Sequence, residues 1–339
     1  FILYISCFNV IYSFLEILSL AMLIPLINFI LNPETFLIFL QKSNFIVFKL
    51  SGDYLINLNQ FQIIKHVILG LIIVVSIKFF FSLFFEWYKA KFIYKIEFIL
   101  SDILYTKYIT SDYKYVLDKN SSELHRNILN DIGQFNGTAQ SIVLFFTDIC
   151  FSIGIICLLL LTNFNITLIL ILIVSIIGYS IFRFTSKYNF HLGKQVSDAT
   201  EKKIEIMLQS FGGIKEIIIY NSSVYFKKIF NLENERLSKA KRNNTFIVSL
   251  PKILIEFIIF ITFAIIIFTL FFLQFDVNNL FAKLSFIAIA IIRIAPSCYR
   301  IVVSLQRIRF TEVPINNIYS KLKEETIFIE KKITLETKN

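Results

Sequence analysis

Long apolar runs alternate along this chain with charged stretches of similar regularity, and few breaks interrupt either. From His66 to about Leu117 there is no proline, and the only glycine, Gly70, lies near the start. A helix of roughly 50 residues at 1.5 Å rise is about 75 Å long, whereas a bilayer core is about 30 Å thick. Such a helix crosses a membrane and continues into water. The composition changes to match. Leu69–Phe85 is almost purely apolar, and Glu86–Lys107 carries Glu86, Lys89, Lys91, Lys95, Glu97, Asp102 and Lys107.

The same pattern predicts six spanning segments. They are about Ile2–Leu31, interrupted by Pro25; His66 to about Leu117; Ser121–Leu161; Ile166 to about Ser210; Phe226–Phe272; and Leu280–Glu325. The connector Asn32–Lys65 holds Pro33 and Ser51-Gly52-Asp53 as turn signals, and Asn163-Phe164-Asn165 reads as a tight turn. Gly133-x-x-x-Gly137 fits close helix packing. The expected fold is all-α and polytopic, with six long helices that run past the membrane.

Of 339 residues, 56% are hydrophobic, which places the chain in a bilayer among lipids rather than in solution. The net charge of +10 therefore reads for topology and not for nucleic acid. Residues 89–126 hold seven Lys/Arg and residues 183–242 hold twelve, while the connectors between the other helix ends are poor in both. Both basic regions, and both termini with them, are expected in the cytoplasm. Cys7, Cys150, Cys157 and Cys298 lie in apolar surroundings without metal spacing, and read as buried small hydrophobes. His66, His125 and His191 are isolated, so neither a catalytic nor a metal site is expected. The chain opens at Phe1 inside an apolar segment, as a fragment of a longer protein does.

Four local motifs then carry a resemblance. Leu15-Glu16-Ile17-Leu18-Ser19-Leu20 precedes Ile24-Pro25-Leu26, and Tyr113-Lys114-Tyr115 leads to Asn120-Ser121-Ser122-Glu123-Leu124. Gly212-Gly213-Ile214-Lys215-Glu216-Ile217 precedes Tyr220-Asn221 and Phe226, and Arg293-Ile294-Ala295-Pro296-Ser297 lies in the sixth segment. In order and spacing the chain resembles the transmembrane domain of an ATP-binding-cassette (ABC) exporter, and in detail the subgroup that flips lipid-linked oligosaccharides.

The resemblance implies a domain over residues 1–325, whose helices carry two short coupling helices at their cytoplasmic tips. It implies a bacterial inner membrane, a second transmembrane half forming a homodimer, and nucleotide-binding domains that use ATP and Mg2+. No Gly-x-x-x-x-Gly-Lys-Ser/Thr occurs here, so that ATPase is expected in cis beyond Asn339 or in trans, and no cofactor in this chain. Residues 326–339 turn to an alternating, strand-like pattern that resembles the start of such a domain. The coupling segments are expected near Tyr113–Asp118 and Ile218–Tyr225, with Tyr113, Lys114, Tyr115, Tyr220, Asn221 and Tyr225 as docking residues. Gly212 and Gly213 would permit a bend there. Exporters of lipids, peptides or drugs share this build, and a gradient-driven transporter needs no ATPase; both stay open.

Charges within the spans cost several kcal/mol each and should face the bundle interior. Counting at about 1.5 Å per residue from the outer ends puts Lys78, Arg293, Asp148 and Glu16 about 18–22 Å deep. One reading is a translocation cavity in which Lys78, Arg293 and Arg300 receive an anionic group, a lipid diphosphate among them, since a guanidinium suits phosphate oxygens. The other is mutual neutralisation, with Glu16 or Asp148 pairing Lys78 or Arg293. Pro296 beside Arg293 would open the helix locally and free a carbonyl.

Overall fold

The computed structural model of the protein describes residues 2–21, 60–111, 114–115, 119–162, 164–272 and 277–324. Among these residues it is all-α, without a strand. The helices are α1 (Ile2–Ala21), α2 (Gln60–Thr110), α3 (Ser121–Arg126), α4 (Ile132–Thr162), α5 (Phe164–Gly212), α6 (Ile214–Ile219), α7 (Ser223–Phe272), α8 (Val277–Phe310) and α9 (Glu312–Lys323). A π-helical segment, Asn127–Asp131, joins α3 to α4. Pro25, Tyr113, Asn163 and the tail 326–339 lie outside the described residues.

The long helices are those the pattern predicts, with shifted ends. Helix α2 has 51 residues, beginning six residues before His66 and closing at Thr110. Helix α5 has already begun at Phe164, inside the expected tight turn. Helix α7 ends at Phe272, as expected, and Pro251 lies within it without stopping it. Three helical stretches are long and apolar enough to cross a membrane among the described residues: Ile68–Thr110, Ser121–Cys157 and Ser223–Ile261.

The predicted sixth helix is two helices. Pro314 sits at the third position of α9, where it lacks the N–H that would bond the Phe310 carbonyl. The chain turns at Thr311, whose φ is −93° and ψ 6°, and α9 restarts with Ile315 N–H on the Thr311 carbonyl at 3.1 Å.

The chain divides into two compact units. The first draws on Phe1–Ala90, Phe146–Ile173 and Phe286–Ser297. Here α1 packs its aromatic face on α2: the Phe8 ring lies 5.7 Å from Phe84 and 5.4 Å from Tyr88, and Tyr12 stacks on Phe85 at 5.4 Å. Helix α4 meets α1 through Gly154, where a side chain would overlap Ile17. The Thr147 hydroxyl donates to Asn9 Oδ1 at 2.6 Å, satisfying two buried polar groups at once.

The second unit draws on Lys91–Phe145, Val174–Ser285 and Cys298–Asn339. One apolar cluster joins Leu192, Val196 and Ala199 of α5 to Leu237, Ala240 and Ile247 of α7 and to Phe310. Spacings of three, four and seven residues put each set on one helix face. A second cluster joins Leu104 and Tyr108 of α2 to Ile132 and Ile318. Each buried Leu, Ile, Val or Phe in these clusters stabilises the unit by about 2 kcal/mol. Buried hydroxyls tie the seams: Thr138 donates to Thr311 at 2.7 Å, and Gln306 Nε2 donates to Thr185 at 2.9 Å.

The expected glycine pair behaves unequally. Gly133 is open, with nothing within 4 Å of an added side chain, whereas Gly137 lies against the Arg307 guanidinium. A close backbone approach occurs instead at Gly193, against Phe310.

Candidate functional site

Within the first unit, two of the predicted intramembrane charges meet. Lys78 Nζ of α2 lies 3.7 Å from Glu16 Oε1 of α1. Their side chains keep 24% and 23% of their exposure, so the pair is long and partly open. Asp148 of α4 is buried in this unit, one residue from the Thr147–Asn9 bond. Arg293 lies on α8 in the segment assigned to the same unit; its side chain is outside what the structure describes. Pro296 stands inside α8, and the helix continues through it to a fully buried Ser297. Arg300 belongs to the second unit and is half-buried.

At the tip between α5 and α7, α5 ends at Gly212 and α6 begins at Ile214, four residues before the expected segment. Gly213 is the break, its N–H bonding the Gln209 carbonyl at 3.0 Å. Helix α6 closes in a Schellman arrangement. The Ser222 N–H bonds the Ile217 carbonyl at 3.0 Å, and the Asn221 N–H bonds Ile218 at 3.3 Å. Asn221 takes the left-handed conformation this requires, with φ 50°, which asparagine tolerates better than most residues. Ile217 alone of α6 turns inward; Phe211, Ile214, Ile218, Ile219, Tyr220 and Tyr225 are exposed, Tyr220 at 77%. Six large apolar or aromatic side chains in and around one short helix are therefore exposed.

At the other tip, Asn120 opens α3, with the Glu123 N–H on its carbonyl at 2.9 Å. Lys114 is exposed, whereas Tyr115 is half-buried and its hydroxyl donates to Glu324 Oε2 at 2.8 Å. Lys321 pairs with Glu123 at 2.9 Å and with Glu324 at 3.2 Å, and Lys119 reaches Glu324 at 3.6 Å. Burial and the adjacent Glu324 carboxylate push the Tyr115 hydroxyl above its ordinary value. Burial opposes the charge on Lys321, but the carboxylates of Glu123 and Glu324 hold its ammonium above the usual lysine value. Burial likewise opposes Glu324, whose carboxyl is nonetheless held low by the Tyr115 hydroxyl and by Lys321 and Lys119.

Beneath this cluster Arg126 bridges Glu201 and Asp131, the latter at 3.4 Å. The Asn127 amide donates to the Tyr108 hydroxyl at 3.0 Å, and the Asn317 amide to Asp131 at 3.3 Å. Sequence reading missed both clusters. Each cluster is closed by partners 75 or more residues apart, Arg126 with Glu201 and Tyr115 with Glu324, and no periodicity links them. The available signal was Pro314, which ends α8 and brings α9 back against the π segment.

A family profile described as the ABC transporter transmembrane region matches residues 3–294. Among solved structures the chain is similar to "Structure of a bacterial Atm1-family ABC exporter with ATP bound", with a TM-score of 0.64 and 11% identity. The likeness covers 94% of this chain and 53% of that one, so the chain spans about half the length of the protein it matches. At that identity the likeness concerns the fold.

Proposed function

Because this chain belongs to the ABC transporter transmembrane region family, we propose that it is the membrane half of an ATP-driven exporter. The observation that carries this reading is the exposed apolar patch around α6, at the end of two helices of 49 and 50 residues. A solvated loop needs no such patch, whereas a docking element does. The partner is a nucleotide-binding domain, in cis or in trans, that supplies ATP and Mg2+ chemistry. Tyr220, Asn221 and Tyr225 at this tip and Tyr113, Lys114 and Tyr115 at the other receive its motion, with Gly212 and Gly213 permitting the bend. A second copy completes the pathway, in a bacterial cell membrane with both termini on the cytoplasmic side.

The substrate is an amphipathic anion such as a lipid-linked oligosaccharide, carried by alternating access. The Lys78–Glu16 pair supports this reading, because a lysine 3.7 Å from its carboxylate and partly open keeps donors to offer a phosphate oxygen. Arg293 and Arg300 supply further anion contacts, Asp148 sets the local balance of charge, and Pro296 frees backbone beside Arg293. The test is Arg293→Ala in the complete transporter, with lipid-diphosphate-linked sugar translocation measured in vesicles. The expected result is a loss of about tenfold or more, as for one charge-assisted contact. Unchanged transport of the sugar lipid would remove Arg293 from the mechanism, whereas a parent protein that exports a lipid or peptide with ATP but no sugar lipid would overturn the substrate assignment and leave the exporter.

A further inference from the structure

The end of the last helix is held by a lysine from the second. Lys107 Nζ of α2 donates to the Lys321 carbonyl at 2.6 Å, to Leu322 at 3.5 Å and to Glu324. An ammonium has three protons, and the last turn of a helix has carbonyls without intrahelical partners and a negative dipole end. Lys107 is buried at 7% exposure, so its charge is committed to this contact rather than to solvent. Around it, Tyr115 bonds Glu324, and Lys321 bonds Glu123 at the start of α3. The C-terminal end of α9 is thus held by both sides of the tip between α2 and α3. Lys107 and Lys321 lie 214 residues apart in sequence.

Such a joint exceeds what helix packing requires, since Leu104 and Ile318 already seal the contact beneath it. A buried charge satisfied by another helix's end fixes relative position rather than adding stability. We propose that Lys107 is a positioning residue for energy coupling. It locks the end of α9 to the first cytoplasmic tip, so that motion delivered to either is carried by both as one body. This rests on the exporter reading above.

The test uses the complete transporter with its nucleotide-binding domain in proteoliposomes. Lys107→Met keeps the stem and removes the donors. The expected result is ATP hydrolysis close to that of the parent protein, with sugar-lipid translocation per ATP reduced about fivefold. Rescue by Lys107→Arg, which keeps donors at that site, is expected in part. A second variant carries Glu123→Cys and Lys321→Cys, which face each other across the same joint, cross-linked by a short bifunctional reagent; transport per ATP should survive the cross-link. Loss of transport on cross-linking, or unchanged coupling in Lys107→Met, would overturn the proposal. Hydrogen exchange needs neither substrate nor ATP. Lys107→Met should lose protection at residues 318–324 and leave the Leu192–Ala240 cluster protected. Retained protection at 318–324 sinks the joint itself, whereas a parent protein that shows no ATP-dependent transport sinks the exporter reading.

Discussion

Gly193 of α5 lies so close to the Phe310 carbonyl of α8 that a methyl group on it would overlap that oxygen. The contact follows from Pro314, which cannot offer Phe310 an N–H four residues on. A residue without a side chain lets the carbonyl rest against the neighbouring backbone. The neighbour here is main chain and cannot rotate away. Gly193→Ala should therefore destabilise the protein by about 1–3 kcal/mol, the usual cost of overpacking. Gly133→Ala, where nothing lies within 4 Å, should be near neutral. Unfolding midpoints in detergent for the two variants compare them directly, and equal losses would refute the close contact.

The Lys78–Glu16 pair separates a structural from a binding role. Lys78→Met and Glu16→Gln should each destabilise, because each strands a charge within the apolar unit. The double variant should recover part of the loss, with a coupling of about 0.5–2 kcal/mol. If the double variant also regains transport, the pair serves helix registration alone. If it regains stability but not transport, Lys78 contacts the substrate. Purely additive losses would show that the two side chains do not interact.

The cluster at Glu324 fixes a pH window. The Glu324 carboxyl lies below its ordinary value of 4.5, so its stabilisation is present above that pH and fades as the pH drops through the lowered value. Tyr115 and Lys321 lie above their ordinary values of 10.0 and 10.5, so their contribution is present below those values and lost as the pH rises. The tip should hold together from about pH 5 to 10. Glu324→Gln should lower the unfolding midpoint at neutral pH, and the difference should shrink as the pH falls below 4.5. A difference that persists in acid would exclude ionised Glu324 as its source.

The long helices were legible because the signal repeats over tens of residues, and a proline in a packed membrane helix does not erase it. Pro251 and Pro296 both stand inside continuous helices for that reason. The break at Thr311 was not legible in the apolar pattern. Periodicity continues across it with Phe310 and Ile318 both buried, and only Pro314 marks the place. Glu16, Lys78 and Asp148 could be listed from sequence as costly charges, but which two would meet depends on how α1 rotates against α2. The Arg126 and Glu324 clusters were invisible because each is assembled from helices distant in the chain. The tip at α6 was half legible. Gly212-Gly213 gave the break, while Asn221 as the left-handed closing residue needed the geometry.

The π segment Asn127–Asp131 bears on how this chain can vary. One extra residue in a single widened turn slips the sequence period by about 100° without turning α4 against α3. The face that α3 turns toward Lys321 through Glu123 therefore runs on into the face that α4 turns toward Thr311 through Thr138, although the sequence period slips between them. Removing a single residue here would restore a regular spiral and leave both faces aligned, whereas removing one elsewhere in α4 would turn the part beyond it by about 100°. This short stretch takes up one residue between α3 and α4, and a relative one residue shorter here can make the same contacts on an unbroken helix.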